Sequence, residues 1–319
     1  MILKNFIKLQ LESAVENWFG SPLILMITCR MRIAALLLTA FVLLDLNPAQ
    51  AQTAQPDPTL RVTLESAYEN WKIAMATGDI QKWETTTAFS RQREIQNRIV
   101  SQRLPFPHTL FEDPMDSPQL AGLISLGVLS NGFAATSTYF GRVNFGNAPG
   151  TEIPDNLLVL HFLREDGVWK FDNLRLVRIG DDGEILLQIR NTDFSFLKGA
   201  EFQPAEQLPP IQQPVTVPDM IAEAWIDATG YEVKVYVNNR LTGTFSNLKI
   251  TELVTGGVNK GQNMIRIECK KLAEASSGAP KVEVAIYAAA DAESKANRVF
   301  HYRPGGEPEA SVTHGFDVP

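Results

Sequence analysis

The hydrophobic period changes once along this chain, and that change limits the folds open to it. Leu64, Ala67, Tyr68 and Trp71 recur at i, i+3, i+4 and i+7, and Ala74 and Met75 extend the stripe. This is the spacing of a helix with one buried face. From Phe133 onward the period is two: Phe133, Ala135, Tyr139, Val143 and Phe145 alternate with Ala134, Thr136, Thr138, Arg142 and Asn144. That alternation predicts a strand with one wet face. Helices first and antiparallel strands afterwards is an α+β order.

Punctuation between the periodic stretches sets the elements. Gly78-Asp79 closes one helix and caps the next, because glycine tolerates the left-handed stop and the aspartate accepts free amides of a new first turn. A second helix is expected through Trp83, Ile95 and Ile99, ending before Pro105 and Pro107, and residues 117–129 predict a third, shorter one. Residues 157–163 and 169–177 read as a hairpin through Glu165-Asp166-Gly167. Residues 185–189 read as a fourth strand after a hairpin turn at Asp181-Asp182-Gly183.

Pro204, Pro209, Pro210, Pro214 and Pro218 fall within fifteen residues. Such a composition favours extended geometry and marks residues 201–218 as a semi-rigid linker. It separates a domain of residues 60–200 from one of residues 219–319. The second is all β by pattern. Tyr231, Val233, Val235 and Val237 alternate with Glu232, Lys234, Tyr236 and Asn238, and Asn238-Asn239 can supply the positive φ of a tight turn. Further strands are expected at 241–245, from 261, at 282–287 and at 298–302, which together predict a β-sandwich. Cys269 falls in phase with Ile265 and Ile267, the apolar side of its strand, so a buried thiol is expected there.

Ahead of both domains, Arg30 and Arg32 introduce a twelve-residue apolar run from Ile33 to Leu44, and Ala49-Gln50-Ala51 offers a small-x-small cleavage site. Those are the three parts of an export signal. Twelve residues at ~1.5 Å rise cover about 18 Å, short of a ~30 Å hydrocarbon core, so the run predicts no lasting membrane span. The expectation is a signal over residues 31–51 starting at Met31, an upstream extension over residues 1–30, and a periplasmic or extracellular protein. Cys29 follows Met26-Ile27-Thr28 and lacks the small preceding residue of a lipidation site. Residues 11–18 match residues 64–71 at seven of eight positions, too short a stretch for a structural repeat. Removal of residues 1–51 leaves 25 basic against 33 acidic residues, a net charge of −8. The longest basic cluster is Lys270-Lys271, so nucleic acid is excluded as a partner on charge.

The helix over residues 66–77, the Gly78-Asp79 junction, Trp83 and the strand end Asp166-Gly167-Val168-Trp169-Lys170-Phe171-Asp172 together resemble the NTF2-like, cystatin-like cone fold, over residues 60–195. The resemblance implies helices on a curved antiparallel sheet enclosing a cavity. It implies no single chemistry, since that superfamily holds isomerases, dehydratases, adaptors and exported proteins of other kinds. Tyr236-Val237-Asn238-Asn239-Arg240-Leu241-Thr242-Gly243, with Leu253 and Gly261-Gln262-Asn263-Met264-Ile265, resembles the galactose-binding-like accessory domains of exported glycosidases, over residues 225–290. Asn238-Asn239 stands where those domains usually have Asn-Gly.

His161, mid-strand in an apolar run, is the candidate proton-transfer group, with Asp172 on the adjoining strand as its carboxylate partner. A hydrogen-bonded structural histidine is the alternative. Trp71, Tyr139 and Trp169 are candidates for lining a ligand pocket or for filling the core. His108, His301 and His314 lack ligand spacing, so no metal is expected. The Asp181-Asp182-Gly183-Glu184 run lacks the spaced oxygens of a calcium loop. There is no Gly-x-Ser-x-Gly elbow and no phosphate-cradling loop, so no cofactor is expected either. The reading is a noncatalytic binding or assembly protein of the cell envelope, with a glycan or an envelope protein as partner. Two alternatives stay open: an isomerase or lyase using His161 and Asp172, and a structural partner recognised through a sheet edge.

Overall fold

The computed structural model describes residues 58–112, 117–144, 152–179, 183–273 and 279–319. The expected export signal, the upstream extension, Cys29, Phe145 and Asp181-Asp182 lie outside the described residues. Helices come first and three four-stranded antiparallel sheets follow. Among the described residues no helix is long and apolar enough to cross a membrane.

The first unit opens with α1 (Pro58–Thr77), α2 (Ile80–Thr86), α3 (Phe89–Ser101) and the short α4 (His108–Glu112). Gly78 takes φ +66°, and the Asp79 carboxylate accepts from the Lys82 amide at 3.0 Å, so the stop and the cap are where the sequence puts them. The single second helix expected through Trp83 and Ile99 is instead two. The chain extends at Thr87, which bridges Phe171, and the Ala88 amide donates to the Phe171 carbonyl at 2.8 Å. Pairing to the sheet therefore interrupts the helix.

The sheet runs β1 (Ile124–Ser130), β2 (Ala134–Arg142), β3 (Asp155–Glu165), β4 (Val168–Arg178), each beside the next. Asp166 and Gly167 both have positive φ, as the tight β3–β4 turn requires. Leu64, Tyr68, Trp71 and Ala74 of α1 and Trp83 of α2 pack on Ala135, Tyr139, Leu158, Leu160, Phe162 and Phe171.

Three expectations are corrected here. Residues 117–129 are not a helix: Ile124–Ser130 is an edge strand, bulged between Ser125 and Gly127. The bulge hides the period of two. Residues 185–189 are not a strand but the middle of α5 (Gly183–Arg190). Ile185, Leu186 and Ile189 turn inward while Leu187 is exposed, a helical face within an apolar run too short to reveal its period. Nor does β2 have a wet face. Leu157 and Val159 face a second core built by Leu197, Phe202 and α5, so the sheet is covered on both sides.

The proline-rich segment is strapped down rather than free. Phe202 is buried, and its carbonyl accepts from the Thr136 hydroxyl at 2.6 Å. Asn131 donates to the Ala205 carbonyl at 2.8 Å. Farther along, the Asn97 amide donates to the Gln213 carbonyl at 2.9 Å, and its oxygen accepts from the Val215 amide at 3.1 Å. The same Gln213 carbonyl accepts from Arg240 of the second unit at 2.9 Å. The end of α3 also touches the second unit directly. Arg98 pairs with Glu252 at 3.3 Å, Ser101 accepts from the Gly256 amide at 2.7 Å, and Arg103 donates to the Ala290 carbonyl at 2.7 Å. Asn97→Ala orphans the Val215 amide and leaves the Gln213 carbonyl held by Arg240 alone, so it is expected to cost about 2 kcal/mol and to expose residues 204–218 to protease. Limited proteolysis alongside urea titration measures both effects.

The second unit places β11 (Asn297–Tyr302), β10 (Glu283–Ala289), β5 (Ile221–Asp227) and β8 (Lys249–Leu253) in one sheet. The other holds β12 (Ser311–Val318), β9 (Gly261–Lys271), β6 (Tyr231–Val237) and β7 (Arg240–Ser246). One core joins the two: Ala224, Ile226, Val284 and Ile286 meet Val233, Val235, Ile265 and Ile267. Asn238 and Asn239 take φ +48° and +63°, so the hairpin turn is the one the sequence proposes. Cys269 packs at the margin of this core, and burial pushes its thiol up to about 11, which keeps it protonated.

Candidate functional site

The strand Ile221–Asp227 alternates by the elementary rule of the pleat. Ala222, Ala224 and Ile226 enter the core, so Glu223, Trp225 and Asp227 face outward. On β10, Val284, Ile286 and Ala288 point in and Glu283, Ala285 and Tyr287 point out. Strand β11 shifts register between its partners of Ile286 and Tyr287. That irregularity lets His301, opposite Ala285, and Arg298, opposite Tyr287, share one face although they are three residues apart.

Outward side chains therefore fall in rows across the sheet. Lys249, Asp227 and Glu283 form one. Thr251, Trp225, Ala285 and His301 form the next, and Leu253, Glu223, Tyr287 and Arg298 the last. A cleft of about 300 Å³ opens on this face, lined by Glu223, Trp225, Thr251, Glu283, Tyr287 and Arg298 with Ala285 and His301. Its volume is at the small end of the range for ligand sites.

A chain of charges fixes one side of the cleft. Lys249 and Lys281 each approach Asp227 at 3.3 Å, Lys281 pairs with Glu283 at 2.6 Å, and Glu283 meets the His301 ring at 2.8 Å. Lys281 and His301 hold the Glu283 carboxyl below its ordinary range. Burial alone would raise Asp227, but the Thr229 hydroxyl at 2.6 Å and the two ammonium groups outweigh it and lower the carboxyl. Glu223 is the contrast. Its Oε1 is buried without a hydrogen-bond partner among the described residues, and burial raises its carboxyl above the ordinary range. The Trp225 ring lies beside these groups with the Lys281 ammonium 5.9 Å from its centroid. Acceptors, donors and one flat apolar surface are thus held on rigid strands.

The residues singled out from the sequence lie elsewhere. Trp71 and Tyr139 are buried between the helices and the first sheet, with Trp71 only 4.2 Å from the Phe171 ring centroid. The Tyr139 hydroxyl donates to Glu65 at 3.0 Å. Trp169 is half-buried against the same core, under the Arg164 guanidinium. His161 pairs with Thr136 on β2 and Asn173 on β4, and Asp172 is the extra residue of the β3–β4 bulge. The two are therefore near in register. The Asp172 carboxylate accepts from the Asn173 amide at 2.8 Å. Burial, then the nearby Arg175 charge, lowers His161 to about 4. Burial raises Asp172 to about 6, with Arg91 opposing and Glu94 and Glu165 reinforcing. At neutral pH the imidazole is neutral and the carboxylate ionised.

Among the described residues no group of three or more His, Cys, Asp or Glu side chains is placed to hold a metal ion. The sequence reading passes over residues 221–227, and with them Glu223 and Trp225. Their signal was present as Glu-x-Trp-x-Asp at period two against alanine and isoleucine. Glu283, Tyr287, Arg298 and His301 carried no comparable signal, because only the sheet order brings them beside Trp225. No known protein family, no curated protein and no solved structure matches this chain.

Proposed function

We propose that this chain is an exported, noncatalytic binding protein of the cell envelope, and that the Trp225 face is where its ligand sits. The observation that carries the reading is the cleft itself. It joins an indole surface to a carboxylate oxygen buried without a hydrogen-bond partner among the described residues, and to the Arg298 and His301 side chains. In the first unit, by contrast, Trp71 and Tyr139 are buried as packing. We further propose that the first unit is an NTF2-like cone and the second a galactose-binding-like β-sandwich. Helices followed by the β1-β2-β3-β4 sheet support the former, and two sheets closed on one core support the latter. Export rests on the sequence of residues 31–51.

In the second unit, a sheet edge is the poorer recognition surface. Strands β7, β8, β11 and β12 are five to eight residues long and each carries a charged residue, features that discourage strand addition.

The test is capture by residues 52–319 on arrays of envelope glycans, lipids and proteins. Trp225→Ala is expected to abolish the strongest signal. Tyr236→Ala, which removes an aromatic stacked under Arg266 on the opposite sheet, is expected to leave it intact. A signal that survives Trp225→Ala and disappears with Tyr236→Ala would move the seat to the other face and end this reading.

A further inference from the structure

We propose that residues 208–217 form a peptide ligand built into the fold, an apolar ridge on an extended strap that seats in the aromatic-lined groove of a different protein. Residues 208–218 belong to no helix or strand. Pro209, Pro210, Pro214 and Pro218 fix their own φ, and each confines the residue before it to extended or polyproline geometry. With Leu208, Gln213 and Val217 added to the four prolines, seven of these eleven residues are set in that way.

A polyproline helix turns once in three residues, so side chains three apart stand in line, about 9 Å from one to the next. Burial along the strap has that period. Pro209, Gln212, Val215 and Pro218 make the inner edge: Pro218 is buried, Pro209 and Val215 are half-buried, and the Gln212 side-chain oxygen accepts from the Asn97 amide at 3.2 Å. A Cβ on Gly257 would lie only 2.6 Å from Pro218, so that glycine lets the strap close on the second unit. Leu208, Ile211, Pro214 and Val217 make an outer edge. All four are exposed, the three aliphatic ones by 56, 57 and 62 %. Single exposed apolar residues are ordinary, but four in one line make a patch. Pro210, Gln213 and Thr216 on the third edge are exposed as well, so two of the three edges face outward.

The chemistry of the strap selects its partner. Among the described residues the backbone carbonyls of residues 206–212 accept no hydrogen bond, which leaves a row of acceptors beside the ridge. Residues 207–218 carry no charge, so a polyanion or an anionic membrane surface gains nothing from them. Grooves that read polyproline geometry answer both features: aromatic rings take the ridge, and an indole N–H or phenol O–H donates to the carbonyls. A second copy of this chain is a poor match, because Phe89 is the one exposed aromatic among its described residues. Asn131 on the Ala205 carbonyl and Asn97 on the Gln213 carbonyl pin the two ends. Docking therefore requires little further ordering of the strap.

The experiment is surface plasmon resonance with the full chain immobilised and purified SH3 and WW domains of several sequences as probes. Saturable binding by at least one of them is expected. Leu208→Ser combined with Ile211→Ser should weaken it at least about tenfold with no change in melting temperature. Val62→Ser, an equally exposed change on α1, should leave it unaltered. Silence from every domain, or binding indifferent to the double variant, overturns the proposal. Sedimentation of the chain alone as a dimer that the double variant dissolves also overturns it, by making the ridge a contact between copies.

Discussion

Replacing Phe171 with alanine is expected to cost about 4 kcal/mol, the range for removing a fully packed aromatic from a core. Its ring centroid lies 4.2 Å from Trp71, 5.3 Å from Tyr68 and 6.0 Å from Phe162. It therefore ties α1 to the edge strand β4 and the neighbouring β3. Its carbonyl also accepts from Ala88, where the chain breaks between α2 and α3. Loss of the ring leaves a cavity bordered by three large aromatics, two on α1 and one on β3, which cannot collapse without moving the helix or the strand. Phe171→Leu keeps most of the volume and should cost about 1.5 kcal/mol. Urea titration followed by tryptophan fluorescence reads both. A loss near 1 kcal/mol for the alanine variant would mean that the helices re-seat freely, against the packing described.

The second large effect is concealed in the wild-type protein. His161 falls from 6.5 to about 4 on folding, so the unfolded chain binds the extra proton between those values. Stability from this group is complete above pH 6.5 and declines as pH falls toward 4. The whole window is worth about 3 kcal/mol. Asp172 rises from 3.8 to about 6, so here the folded chain binds the extra proton. Stability from this group is greatest below pH 3.8 and declines as pH climbs to 6, again by about 3 kcal/mol. The windows overlap and the slopes oppose, which predicts a nearly flat contribution between pH 4 and 6. Single substitutions uncover each slope. Asp172→Asn should become steadily more stable from pH 4 to 6.5, and His161→Gln steadily less stable from pH 4 to 6. Denaturation midpoints at half-unit pH steps measure this. Parallel curves for the two variants would refute the opposed linkage.

Periodicity made much of the architecture legible. The stripe through Leu64, Tyr68 and Trp71, the Gly78-Asp79 junction, the Asp166-Gly167 turn and the Asn238-Asn239 turn all carried local signals, and each is found where its chemistry puts it. The failures share a cause. Ile124–Ser130 has its alternation broken by a bulge, and Gly183–Arg190 is too short and too apolar for its period to register. The covering of the first sheet's second face depends on residues some forty positions downstream, Leu197 and Phe202, which no local pattern of β3 announces. Sites are harder still. Aromatic residues attract attention, but Trp71 and Tyr139 are aromatic because a core needs volume. Trp225 differs only in facing away from Ala224 and Ile226, and its companions come from β8, β10 and β11. Their convergence is a property of strand order.

Fixing the Gln213 carbonyl between Asn97 and Arg240 has an entropic corollary for any polymeric partner. Two surfaces joined by a swinging tether search for each other's targets over the tether's whole reach, and the second contact gains only the effective concentration of that volume. A bolted junction has already given up that freedom during folding. The Trp225 cleft is consequently held at one separation and one angle to the first unit. A partner that touches both units would make its second contact for little more entropy than its first, without the search that a swinging tether imposes.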